Sequence, residues 1–223
     1  MKKIIVISIL FLSFRPAYAQ YNDARLWLSG NIKKSIGTKT SLHFSQGLRL
    51  IENYTRVGTV LSDLGIKYRL GEKWRVSAHY RFSKRRNDVE YFRTSHRLYF
   101  DLAYKQKLGG KLDFTFRGRY QKQYTDYNRS EGGHTPKNHV RFKTTMEIDL
   151  DKRYTPYLAA EIFYQLNNSR LQNKFDNSRY TAGVLYDINK KNQVDVHYMI
   201  IRGLNTKNPG RYYVLSLNYF YSF

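Results

Sequence analysis

Leu64–Phe82 reads LGIKYRLGEKWRVSAHYRF, and this stretch decides the fold. Leu64, Ile66, Tyr68 and Leu70 alternate with Gly65, Lys67 and Arg69. After Gly71-Glu72-Lys73, the residues Trp74, Val76, Ala78, Tyr80 and Phe82 alternate with Arg75, Ser77, His79 and Arg81. A period of two puts successive side chains on opposite faces of a strand. The stretch therefore predicts two antiparallel strands joined by a tight turn, each with one apolar and one basic face.

The pattern extends in both directions. Upstream, the apolar sets are Ala24, Leu26, Leu28, Gly30, Ile32, then Leu42, Phe44, Leu48, Leu50. Downstream they are Leu98, Phe100, Leu102, Tyr104; Leu112, Phe114, Phe116, Gly118, Tyr120; Val140, Phe142, Met146, Ile148, Leu150; and Leu158, Ala160, Ile162, Tyr164, Leu166. Tyr180, Ala182, Val184, Tyr186, Ile188 and then Val194, Val196, Tyr198, Ile200 follow. Tyr213, Leu215, Leu217, Tyr219, Tyr221, Phe223 form the eleventh set. Nothing between them has the three-four spacing of an amphipathic helix.

Length separates a membrane barrel from a soluble sandwich. About 12 residues at ~3.3 Å each, tilted by ~45°, span roughly 28 Å, close to the hydrocarbon core of a bilayer. Strands of soluble proteins are nearer ~5–6 residues. The face opposite the apolar one carries Arg and Lys on strand after strand. A closed barrel accommodates both faces, apolar toward lipid and polar toward the lumen, and leaves no unpaired edge. The fold class expected is all-β, a transmembrane antiparallel up-and-down β-barrel. Eleven segments is an odd count and single-chain bacterial barrels have an even one; the expectation is twelve strands, with ten as the alternative.

The connections agree. Tight turns follow odd-numbered segments at Gly37–Thr40, Gly71–Lys73, Leu108–Lys111, Asp151–Arg153 and Asn189–Asn192. Longer polar loops fall at Arg85–Tyr91, Thr125–Asn138, Asn167–Asn177 and Gly203–Gly210. Short periplasmic turns and long outer loops are the asymmetry such barrels have. Tyr68, Tyr104, Tyr120, Tyr124, Tyr180 and Tyr213 stand near strand ends, where an amphipathic ring suits the interface.

The two ends of the chain match this placement. Met1-Lys2-Lys3, an apolar run from Ile4 to Phe14, and Ala17-Tyr18-Ala19 before Gln20 read as a secretory signal peptide. The division expected is residues 1–19 as leader and residues 20–223 as barrel. No cysteine is present, so no disulfide supports the exported chain. At the other end, Asn218–Phe223 (NYFYSF) resembles the terminal aromatic signature of bacterial outer-membrane barrels. That resemblance implies recognition of Tyr219, Tyr221 and Phe223 by the barrel-assembly machinery.

A wider resemblance covers essentially the whole exported chain. The runs ARLWLSGNIKKSIGTKTSLHFSQGLRL (24–50) and SDLGIKYRLGEKWRVSAHYRF (62–82) resemble the barrel family known as domain of unknown function 2490. The resemblance implies a barrel fold and no activity, because its motifs are patterns without catalytic signatures.

Charge bears on function. The sequence holds 39 Lys and Arg against 17 Asp and Glu, a formal +22; loss of Lys2, Lys3 and Arg15 with the leader would leave +19. Export and the single-residue alternation of the charges argue against nucleic acid as a partner. In the register above, the basic residues lining the lumen are Arg49, Arg69, Arg75, Arg81, Arg97, Arg117, Arg119 and Arg141, joined by Lys67, Lys105, Lys143 and Arg179. The acids facing them include Glu147, Asp149 and Glu161, with Asp101, Asp113, Asp187 and Asp195. These charges either pair and seal the lumen or leave a narrow, anion-attracting channel. A pairing of Arg117 with Glu147 is expected from the antiparallel sixth and seventh segments.

Other constellations are weaker. His43-Phe44-Ser45 has the spacing of a lipid-modifying serine site, but both functional side chains share the lumen face, away from lipid. Glu147, Asp149 and Asp151 stand about 7 Å apart along a strand, too far for tight chelation. His79, His96, His134, His139 and His197 show no metal spacing, and no metal or cofactor is expected. The outer loops are basic and aromatic: Arg85, Arg86, Tyr91, Phe92, Arg129, Lys137, Arg170, Lys174, Lys207 and Arg211. They suit contact with lipopolysaccharide headgroups. The function expected is a structural or accessory outer-membrane barrel, with or without an envelope protein partner. A narrow anion-selective pore is the alternative, and a lipid-modifying enzyme a more distant one.

Overall fold

The computed structural model describes residues 22–87, 91–127, 131–150, 153–167, 175–205 and 209–223. Eleven strands close into one barrel. They are β1 (Asn22–Ile36), β2 (Thr40–Ile51), β3 (Arg56–Arg69), β4 (Trp74–Arg86), β5 (Phe92–Leu108), β6 (Leu112–Thr125), β7 (Lys137–Ile148), β8 (Tyr154–Gln165), β9 (Phe175–Asp187), β10 (Asn192–Gly203) and β11 (Arg211–Ser222). Among the described residues, one short 3-10 turn at Glu131–His134 is the only helical element. Each strand is 12 to 17 residues long, as a tilted crossing of a bilayer requires.

Neighbouring strands pair in chain order and antiparallel, with one exception. β1 and β11 pair in parallel, with Asn22 opposite Arg211 and Lys33 opposite Ser222. This corrects the expected count of twelve or ten. Antiparallel closure requires an even number of strands, whereas a parallel seam closes an odd number without an added or missing strand. Both β1 and β11 run from the long-loop end toward the short-turn end. The last residues lock the seam: Phe223 N–H donates to Lys33 O at 3.0 Å, and Ser35 N–H donates to Phe223 O at 3.1 Å.

Closure satisfies the backbone groups that lipid cannot. The pleat then sorts the side chains. On β7, Phe142 is 57% exposed on the outer wall while its neighbour Arg141 is 5% exposed inside. Leu64, Phe100, Leu158 and Tyr180 join the apolar wall. Lumen-facing Met199, Ile201 and Val214 form a small internal apolar cluster, packed against Trp27 and Tyr212.

Two irregularities shape the long-loop end. Between Arg49 and Leu50 the β2–β3 register slips by one residue. Gly58 is the residue left over on β3; a Cβ there would meet Ile51 at 2.5 Å. The turn that follows β2 holds Glu52, Asn53 and Tyr54 at φ of 53°, 54° and 70°. Asp23 and Asn53 pin it: Asn53 N–H donates to Asp23 Oδ1, and Ala24 N–H donates to Asn53 Oδ1.

Candidate functional site: the lumen

A belt of charged and aromatic side chains lines the barrel near mid-height on β3 to β9. On β3, Asp63 accepts from Arg81 Nε at 2.7 Å and from the Tyr99 hydroxyl at 2.7 Å, and His79 Nδ1 lies 2.9 Å from its other oxygen. His79 and Tyr99 stack, with ring centroids 4.6 Å apart. Gly65, opposite His79, makes room for this, since a Cβ there would overlap the imidazole. On β5, Asp101 accepts two bonds from Arg119, at 2.6 and 2.7 Å.

Glu161 on β8 is the hub of the far side. Both of its oxygens accept from Arg141 Nη2 at 2.8 Å, and Arg117 Nη2 donates at 2.6 Å. Arg179 approaches it at 3.9 Å. Aromatic rings brace the guanidiniums: Arg119 lies over Tyr99 at 3.9 Å, and Arg141 and Arg179 lie over Phe163 at 4.1 and 4.6 Å. A planar, weakly hydrated guanidinium can stack on a ring and bond a carboxylate at its edge at once. A separate chain of hydrogen bonds crosses β8, β10, β11 and β1. Tyr157 donates to Asp195, Asn218 donates to Asp195, and Ser29 donates to Asn218.

Two cavities lie inside the barrel, one on each side of the belt. Toward the short turns lies a cavity of about 630 Å³, lined by Lys33, His43, Ser45, Lys67 and the underside of the belt. Toward the long loops lies a vestibule of about 400 Å³, lined by Arg25, Trp27, Arg49, Arg85, Arg97 and Arg179 among others. The two share one lining residue, Arg81.

The arginines singled out in the sequence separate into three groups. Arg81, Arg117, Arg119 and Arg141 are in the belt. Arg49 and Arg97 are in the vestibule; Arg49 lies 3.9 Å over Trp27, and Arg97 donates to Gln123. Arg69 and Arg75 face each other across β3 and β4, both exposed at the short-turn rim, and line neither cavity.

Among the acids, Glu161 is the hub of the belt. Glu147 accepts from Lys105 at 3.4 Å, not from Arg117. The expected Arg117–Glu147 pair is corrected by the register, in which Arg117 stands opposite Lys143 and Glu147 opposite Asp113. Arg117 reaches Glu161, two strands away. Asp149 follows β7, its N–H bonded to Lys111 O. Asp151, Lys152, Arg129, Arg170, Lys174, Lys207 and the leader lie outside the described residues. His43 Nε2 bonds Ser41 Oγ at 2.9 Å instead of Ser45. Tyr219, opposite Gly30, and Phe223 are exposed on the outer wall, and Tyr221 stands opposite Ile32.

The inward aromatics were not anticipated. Trp27, Tyr99, Phe163 and Tyr212 each break the alternation, making runs such as Leu26-Trp27-Leu28 and Leu98-Tyr99-Phe100. An apolar ring on a strand's basic face is the signal that could have found them.

The fold has known counterparts. The NanC porin structure matches with a TM-score of 0.51 and 13% identity, over 85% of this chain and 90% of that one. LpxR from Salmonella typhimurium matches with a TM-score of 0.52 and 9% identity, over 82% of this chain and 83% of that one. At such identities the likeness is one of fold alone. Among curated proteins no sequence matches this one. The profile of one family aligns with residues 24–212, the barrel from β1 into β11. The chain thus belongs to the family described as protein of unknown function (DUF2490).

Proposed function

We propose that the protein is exported to the bacterial outer membrane, with its long loops outward, and serves there as a closed accessory barrel. The observation that carries this reading is the belt of paired side chains from Asp63 through Asp101 and Glu161 to Arg179, with one cavity on each side of it and Arg81 lining both. Barrel width supports it. Eight strands enclose just enough room for side chains and sixteen leave an aqueous channel; eleven strands filled by paired arginines lie nearer the first case. The apolar wall supports insertion in lipid, and the aromatic β11 supports recognition during assembly.

The reading assigns no reaction. A lipid-modifying site would need its nucleophile and base on the outer wall, and Ser45 and His43 line a cavity inside. Partners follow from placement: membrane lipid, lipopolysaccharide at the long-loop rim, the assembly machinery during insertion, and an envelope protein if one docks on the loops. Nucleic acid is not among them.

A narrow anion-selective pore is the second reading. Its specific support is that Arg49, Arg85 and Arg97 meet no carboxylate among the described residues. Planar-bilayer recording of the refolded protein under a salt gradient decides between the two, with the folded barrel verified by heat-shifted gel mobility. A silent bilayer is expected. Discrete, anion-preferring steps would overturn the closed reading in favour of the pore.

A further inference from the structure

We propose that the long-loop vestibule is a binding site for a small multivalent oxyanion, a molecule carrying two or more carboxylate or phosphate groups. The site goes beyond the closed-lumen reading and does not depend on it, because a dead-end chamber and the entrance of a pore would bind such a ligand alike.

The first argument is charge. Carboxylates on the vestibule wall are already engaged: Asp23 by Arg25 at 2.6 Å and Glu52 by Arg56 at 3.2 Å. Arg49, Arg85 and Arg97 have no carboxylate among the described residues. Arg179 has only Glu161, at 3.9 Å, which Arg117 and Arg141 already hold more closely. The Arg179 Nε–H is buried and has no acceptor among the described residues. Guanidiniums gathered without carboxylates enough to balance them repel one another, and a buried donor without an acceptor is costly. Such a cluster holds together best around an anion. One negative charge would leave most of the cluster uncompensated, so valency is part of the specificity.

The second argument is geometry. Arg25 lies 3.7 Å over Tyr212, Arg49 lies 3.9 Å over Trp27, and Arg179 lies between Phe163 and Trp27. Stacking occupies the faces of these guanidiniums; Arg25 Nε is taken by Asp23, while the in-plane N–H groups of Arg49 and the Arg179 Nε–H are left for an acceptor, the fork that carboxylate and phosphate fit. Side chains held this way have little freedom left to lose on binding. The chamber, about 400 Å³, falls within the usual range for small-molecule sites. Leu61 and Ile201 give it an apolar flank for an organic skeleton.

The third is backbone strain. Three consecutive non-glycine residues at positive φ, Glu52 to Tyr54, stand at the rim of this chamber, and Glu52 lines it. Conformations of this kind persist where the surroundings enforce them and gather at ligand sites.

Isothermal titration of the refolded barrel in detergent, at fixed ionic strength, tests the site with two probes, citrate and pyrophosphate. One saturable site is expected for at least one of them. Tighter binding of citrate would assign carboxylates, and tighter binding of pyrophosphate would assign phosphates. Arg97→Gln should weaken that binding by about tenfold or more, since it removes an inward positive charge that has no carboxylate among the described residues. Arg85→Gln, at an exposed position where a substitution is expected to cost little stability, should weaken it in the same direction. Lys67→Gln, in the cavity below the belt, should leave it unchanged. Heat-shifted mobility reports that each variant is folded. No saturable heat with either probe would overturn the proposal. So would an equal loss in Lys67→Gln, which would mean diffuse attraction to a basic protein.

Discussion

Arg141 and Arg97 are both inward arginines on nearby strands of one barrel, and they live in opposite surroundings. Arg141 is bonded to both oxygens of Glu161, to Gln121, and to the face of Phe163. Arg97 has an amide, Gln123, and a neighbourhood of other arginines. The belt spends its carboxylates on its own arginines, and the vestibule keeps its charge unspent. An excess of lumen arginines therefore says little until each is matched with its acid. In the belt they are held by carboxylates; in the vestibule Arg49, Arg85 and Arg97 have none among the described residues, which is what the closed-barrel and anion-site proposals rest on.

The largest way to break this contrast is to remove the hub. Glu161→Ala leaves Arg117, Arg141 and Arg179 buried without their shared carboxylate, and loss of about 3–5 kcal/mol in stability is expected. Guanidinium titration followed by gel mobility would measure it. A loss below about 1 kcal/mol would mean that the arginines find water instead.

Next is the wall itself. Phe142→Arg sets a charge in lipid one residue from a native lumen arginine, at an expected cost of about 2–4 kcal/mol near the bilayer midplane. Equal stability of that variant would contradict the assigned faces. Smaller is Tyr99→Phe, which deletes one hydrogen bond to the Asp63 carboxylate; about 1.5–3 kcal/mol is expected in the same titration. Smallest is Arg75→Gln at the exposed rim, expected within about 0.5 kcal/mol of the parent. A large effect there would show that the belt extends farther toward the turns.

Much of the barrel was legible in the sequence because side-chain period is a local property. Leu64, Ile66 and Tyr68 point outward by alternation alone, and the structure places them so. The seam was not legible. Eleven periodic segments do not say whether the first and last meet parallel or antiparallel, since that pairing joins residues about 190 positions apart, such as Asn22 and Arg211. The inward face was legible in sign but not in partnership. Arg117 was expected to meet Glu147 across one pair of strands; strand stagger and a long side chain carry it to Glu161, two strands on. The internal aromatics escaped because a ring at an inward position reads, residue by residue, as an irregular apolar run. Whether an arginine is matched or unmatched depends on distances across the lumen, which no periodicity encodes.

The central claim is that the belt separates two compartments, and the absence of cysteine from the chain offers a direct measurement. Ser83→Cys places one thiol in the vestibule and Ser45→Cys one in the cavity below. A membrane-impermeant thiol reagent is then added to one side of oriented proteoliposomes at a time. Modification of each thiol from its own side only is the expected result. Modification of either thiol from both sides would contradict the claim and mean that the lumen is open.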